Sequence, residues 1–189
     1  MGDEKMGVNV EVWPLAADDA GIWLVSGGEA WSYGPVMADS DVHYEIELLL
    51  FKHDIDPDDA VFIAMPPDAP RAAVVHSTSW RPDGPAIMLT YMAVVRVPGY
   101  VLETWPDAAP VTSALPATVG KAPPHGAAEV PVPRVVDVLL HGLRHLKFLA
   151  GPDGDAETAA ALDGNFLRHL APLRPALAIM FSERLREAS

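Results

Sequence analysis

Asp137, His141 and His145 recur at every fourth position in "RVVDVLLHGLRHLKFLAG". On a helix that spacing stacks three side chains along one line. Two imidazoles one turn apart can share zinc or a similar ion, with the aspartate ligating it or orienting a histidine from behind. Gly142 stands where "HExxH" would carry its glutamate, so the general base of that motif is missing. The same line read without a metal is a docking face or an ordinary solvated face. Arg144 and Lys147 oppose protonation of the pair, and Asp137 favours it. His169 follows later, on a separate helical stretch.

A second group lies in "HSTSWRPDGPAIMLTYMAVV", where His76, Ser77, Ser79, Arg81, Thr90 and Tyr91 flank a turn. With Pro82-Asp83-Gly84-Pro85 as a four-residue loop, Arg81 pairs with Ala86. Trp80 then faces Ile87, Thr78 faces Leu89, and His76 faces Tyr91 on one side of the hairpin. On the other, Ser79 faces Met88 and Ser77 faces Thr90. The second strand is apolar on both faces, which predicts a central strand covered on both sides. Hydroxyls beneath such a cover need partners, supplied by a ligand, by backbone or by water. No "GxSxG" elbow is present to make any of these serines a nucleophile.

The elements that position these residues follow from run length and punctuation. Short apolar runs bounded by Gly, Pro and Asp predict strands at about 8–13, 21–26, 29–33, 60–65, 72–80 and 86–97. One helix, about 41–54, interrupts them: Asp39 or Ser40 can cap it, acids crowd its first turns, and Pro57 follows. Residues 98–133 hold eight prolines and little periodicity, and predict a long surface connection anchored by Trp105. Beyond it, Val136, Leu139, Leu140, Leu143 and Leu146 form the stripe of a helix that stops at Gly151-Pro152. Two more helices are predicted, about 156–171, interrupted near Asp163-Gly164, and 175–187.

Bulk properties narrow the function. The net charge is -13, and residues 1–60 carry fourteen acids against two bases, whereas residues 133–189 balance at seven each. An acidic field without a basic cluster disfavours nucleic acid as the main partner and favours a basic surface or a cation. With no cysteine, disulfides, thiol catalysis and thiolate metal sites are excluded. No continuous apolar stretch is long enough to span a bilayer, and "MGDEKMGVNVEVW" lacks the pattern of a signal peptide, so the expected location is cytoplasmic. Five tryptophans scattered through the β-rich half read as core or strand-surface residues before they read as a ligand cage.

The order strand, capped acidic helix, strand, then "VVHSTSWRPDGPAIMLTYMAVV" resembles the Nudix fold over about residues 8–97. That resemblance implies a mixed sheet between helices, and in the family a glutamate-bearing helix binds magnesium and cleaves diphosphates. Aligning Ile55 with the last apolar place of the Nudix box puts Asp39 at its early glutamate and Glu47 at its arginine. Leu48, Phe51 and Lys52 then stand at the three glutamates that carry the chemistry, and Gly34 misses the leading glycine by one position. Those three side chains cannot hold magnesium. Glu45 and Glu47, two apart, point to different sides of the helix. The resemblance therefore implies the scaffold without the hydrolase.

The expectation is an α+β protein: a β-rich mixed sheet with one prominent helix over residues 1–100, a proline-rich connection over 101–132, and a C-terminal segment, 133–189, of three helices packed on the body as one domain. The expected function is a non-catalytic small-molecule or protein-binding module on a Nudix-like scaffold, meeting its ligand or partner at His76, Ser77, Ser79, Arg81, Thr90 and Tyr91, at the acidic helix, or at both. The alternative is a metal-dependent hydrolase with His141, His145 and Asp137 around the ion. No cofactor is assigned from the sequence. The amphipathic C-terminal helices need an apolar surface, either the sheet or a second copy of the chain.

Overall fold

The computed structural model describes residues 7–33, 57–83, 86–111 and 134–176. The architecture is α+β, a six-stranded mixed sheet with helices on both faces. Strands β1 (Gly7–Ala17), β2 (Ile22–Leu24), β3 (Trp31–Tyr33), β4 (Ala72–Asp83), β5 (Ala86–Val95) and β6 (Ala109–Pro110) run in the order β4-β5-β1-β2-β6, with β3 beside β1. β1 and β5 are parallel, and the other pairs are antiparallel.

β1 is central because both of its faces are apolar. Val10, Val12 and Ala16 point to one side, and Trp13, Leu15 and Ala17 to the other. Along one edge β1 changes partner: β3 pairs with Val10–Val12 and β2 with Leu15–Ala17. Pro14 sits in the gap, where a missing N–H costs no ladder bond, and its carbonyl accepts from the Val25 amide at 3.0 Å.

The first face is covered by α1 (Pro57–Ala64), which buries Ala60 and Val61 against Val10, Val12, Tyr91 and Val95. The expected strand at 60–65 is thus helical. Pro57 begins this helix rather than merely following one, since its fixed φ suits the first turn and acids follow it. The expected helix at 41–54 and the expected helix at 175–187, beyond Ala176, lie outside the described residues. Within the proline-rich connection, α2 (Val101–Thr104) and β6 are tied to the N-terminal strands: the Val101 amide donates to the Asp18 carboxylate at 3.0 Å, and Val111 N donates to Ile22 O at 2.8 Å.

The second face carries the C-terminal helices. α3 (Val135–Leu149), α4 (Ala156–Ala161) and α5 (Gly164–Leu170) press Leu139, Leu143, Leu146, Leu162, Phe166 and Leu170 onto Trp13, Leu15, Met92 and Val94. The expected interruption at Asp163-Gly164 is present. Asp155 and Asp163 cap the two short helices, each accepting from backbone amides in the first turn. Polar bonds also tie the helices to the sheet. The Arg96 guanidinium donates to the carbonyl of Ala161 at the end of α4, and the His169 ring lies 2.9 Å from the Asp18 carbonyl. No helix among the described residues is long and apolar enough to cross a membrane.

α3 sits unusually close to β5 at one point. A methyl group on Gly142 would collide with the Met92 side chain, so Met92 or the helix must shift to admit one. Gly142→Ala should therefore destabilise the fold by about 1–3 kcal/mol, through displacement of Met92 or of the helix. Gly164→Ala, with open space around its Cβ position, should cost far less. Urea denaturation of both variants checks the contrast.

Candidate functional site

Two groups that are separate in sequence meet beneath α3. His76 points from β4 toward the helix, and its ring centre lies 5.8 Å from that of His145. The His141 and His145 rings are 4.4 Å apart, as the one-turn spacing requires. His141 Nε2 lies 3.3 Å from the carbonyl oxygen of Thr78, which fixes Nε2 as the protonated nitrogen. The three imidazoles thus form one cluster at the β4/α3 seam.

This placement corrects the expected helix face. Rather than lying opposite the apolar stripe, His145 is only 5 % exposed and His141 is half-buried. The physical reason is the close seat at Gly142, which draws the flanking positions against β4. Asp137 does not complete the set. Its carboxylate is engaged by Arg134, at 2.7 and 3.0 Å, in the first turn of α3. Among the described residues no group of three or more His, Asp or Glu side chains is placed to hold a metal ion.

The hairpin register also differs from expectation. Asp83 pairs with Ala86, so the connection spans two residues rather than four, and Trp80 lies opposite Leu89. A register irregularity between Ser77 and Ser79 then sets Ser79 opposite Thr90, Ser77 opposite Tyr91 and His76 opposite Met92. An extra residue in one strand exchanges its faces, and Thr78 is that residue. Its hydroxyl donates to the Thr90 carbonyl at 3.2 Å, and its own carbonyl serves His141. The six expected ligand residues therefore do not share a surface. His76, Ser79, Arg81 and Thr90 belong to the α3 side, whereas Tyr91 is buried among the α1-side core residues.

Arg81 and Thr90 are bound up in a network that includes Glu11, which the sequence reading did not single out. Arg81 donates through both terminal nitrogens to the Glu11 carboxylate, at 2.5 and 2.7 Å, and Thr90 Oγ1 donates to it at 2.6 Å. Burial pushes the Glu11 carboxyl up, but hydrogen bonds from Arg81 and Thr90, with the Arg81 charge, outweigh it and hold the group below the usual carboxylate range. The available signal was position. Glu11 alternates with Trp13 and Leu15 on one face of a strand that is apolar on both sides, where an acid needs a partner.

The histidines stay neutral for the same dielectric reason. Burial, then the neighbouring His141, His76 and Arg144, lower His145 from near 6.5 to about 4. Burial chiefly, with Arg144, lowers His141 against the pull of the Thr78 carbonyl. A separate open groove of about 420 Å³, lined by Phe62, Met65, Pro66 and Arg71 among others, lies at the end of α1 and shares no residue with this cluster.

Comparison of the chain with protein-family models, with curated proteins and with solved structures finds no match. The residues 34–56 that carry the Nudix box comparison lie outside the described residues.

Two predictions follow from the buried charges. The Glu11 carboxylate is 8 % exposed and the Arg81 side chain 27 %, so Glu11→Ala, which strands the guanidinium, should cost roughly 2–4 kcal/mol. The double variant Glu11→Leu/Arg81→Met should recover most of that in denaturant unfolding. For His145, the unfolded chain takes up a proton near pH 6.5 that the folded chain refuses until about pH 4. Stability should thus be unaffected above 6.5 and fall by roughly 2–3 kcal/mol as pH drops from 6.5 to 4. In His145→Leu that slope should flatten, as read from urea midpoints across the range.

Proposed function

We propose that the chain is a non-catalytic, cytoplasmic protein-binding module whose partner adds along the outer edge of β4, with Trp80 as its anchor. The observation that carries this reading is the state of Trp80. It is 66 % exposed on a twelve-residue strand that ends the sheet order, while Trp13, Trp23, Trp31 and Tyr91 are half-buried or buried. An exposed edge strand is a template for another strand, and a tryptophan on it is the side chain most often found at the energetic centre of an interface. Among the described residues β5 is the only strand that pairs with β4.

Ser77 is also exposed on β4, next to the bulge. A polypeptide laid along this edge would meet Ser77 and Trp80 in succession, with its specificity set by alternate side chains. The net charge of -13 favours a basic segment. A small-molecule site is less well supported, because the residues expected to line it divide between two faces. The hydrolase alternative gains no support from Asp137 or Glu11, since among the described residues Asp137 is engaged by Arg134 and Glu11 by Arg81 and Thr90. The Nudix resemblance contributes the scaffold alone to this reading.

Photo-crosslinking in the source cells tests the proposal. A benzophenone amino acid replacing Ser77 should give a discrete adduct, and the same probe at exposed Pro172 should give none. Adding Trp80→Ala should weaken the Ser77 adduct at least tenfold, in keeping with an anchor worth about 2 kcal/mol. No adduct from Ser77, or one indifferent to Trp80→Ala, contradicts the reading.

A further inference from the structure

The register of β4 against β5 breaks twice, between Ala72 and Val74 and again between Ser77 and Ser79. Between the breaks Val74, Val75, His76 and Ser77 pair with Val94, Ala93, Met92 and Tyr91. Successive strand residues alternate between faces, so Val74 and His76 point under α3, and Val75 and Ser77 point to the α1 side. Sliding this stretch by one residue reverses every one of those faces. In an ordinary amphipathic strand such a slip exposes apolar side chains and buries polar ones. Here it exchanges Val74 for Val75 and His76 for Ser77, so each face keeps one valine and one polar residue. The extra residue now at Thr78 would pass to the other break, at Ala72-Ala73, where both side chains are small. Pairing from Ser79 onward, and with it Trp80, would stay in place.

We propose that Val74–Ser77 is a two-position register switch within β4, held in the observed position by the contact of His141 with the Thr78 carbonyl, and that it controls the partner-binding edge by turning Ser77 toward the side of Trp80 or away from it. This inference rests on the reading of that edge given above. Residues three apart on a regular strand point to opposite sides. With Thr78 as the extra residue, Ser77 opposite Tyr91 and Trp80 opposite Leu89 both lie on the α1 side. A partner therefore meets both side chains only in the observed register.

Each position has its own polar contacts. In the observed one the Thr78 carbonyl lies 3.3 Å from His141 Nε2, and the Thr78 hydroxyl donates to the Thr90 carbonyl at 3.2 Å. The unmet demand is on His145, whose two ring nitrogens are buried and make no hydrogen bond. In the shifted register Ser77 replaces His76 beneath α3 and brings a hydroxyl that can bond either nitrogen. The switch thus trades the ties of Thr78 for a partner to His145, while valine burial is conserved on both faces.

The chain has no cysteine, so introduced pairs report register without background. Under mild oxidation of the full chain at pH 7.5, Val75→Cys/Ala93→Cys should close a disulfide, because the two residues are paired on one face. Val75→Cys/Val94→Cys should close far more slowly, since Val94 points to the opposite face and meets residue 75 only after the slip. Adding His141→Leu should speed this second pair about tenfold, as loss of one buried hydrogen bond implies. His141→Gln, whose amide can donate to the same carbonyl, should restore the slow rate. Thr78→Val, which removes the other tie, should act in the direction of His141→Leu, and decides if that variant loses its native circular dichroism. His141→Leu should also weaken the Ser77 photo-adduct. A second pair that closes no faster in either variant, or as fast as the first in the parent chain, overturns the switch; an adduct undiminished in a slipped variant overturns its control of the edge. The cysteine pairs need no partner, so if they respond as expected and the parent chain gives no Ser77 adduct, the switch stands and the partner reading alone falls.

Discussion

The approach of α3 to the central strands at Gly142 is the constraint from which the rest of this half of the molecule follows. Leu139, Leu143 and Leu146 could cover the sheet at an ordinary interhelical or helix–sheet distance. With a glycine over Met92 the helix comes nearer, and positions that a looser helix would leave wet are pulled under cover. That is why His145 is buried although its helical spacing belongs to a polar line. It is also why the carbonyl of Thr78, released from regular pairing by the irregularity in β4, finds a donor in His141.

Those groups are accommodated in two different ways. Glu11 is satisfied in full, with a bidentate guanidinium and a hydroxyl directed at its oxygens from two neighbouring strands. His141 and His145 are accommodated because burial favours their uncharged forms, which lets the two imidazoles lie 4.4 Å apart without mutual repulsion at neutral pH. The two solutions sit side by side on one sheet face, and apolar packing from α3, α4 and α5 closes over the rest. The chemistry of this face is therefore directed inward. What faces outward on the neighbouring edge is Trp80, 66 % exposed.

Much of the architecture was legible in the sequence. The doubly apolar β5 announced a strand with cover on both sides, and the periodic stripe of α3 announced a helix that must lie on it. The Asp163-Gly164 interruption could be read because capping and helix-breaking are local. The 60–65 run could not, since a short apolar stretch has no period to tell strand from helix and Pro57 is equally at home before or within a first turn. The hairpin register failed for a related reason. Loop length and an irregularity of one residue both change pairing, and neither is marked by an unusual residue type. The site was legible as two fragments. His141 and His145 declared themselves by spacing, but their association with His76 spans more than sixty positions and arises only from where α3 lands. Glu11 was visible as an acid on an apolar face, yet its partners are chosen by the strand order.

The most direct test of this account is a nuclear Overhauser measurement on the protein at neutral pH, with the histidine rings isotopically labelled. Cross-peaks linking the ring protons of His145 to those of both His76 and His141 are expected from ring centres 5.8 and 4.4 Å apart. A His145 ring that shows contact with His141 alone and exchanges freely with solvent would mean that α3 does not seat on β4, and would contradict the account at its foundation.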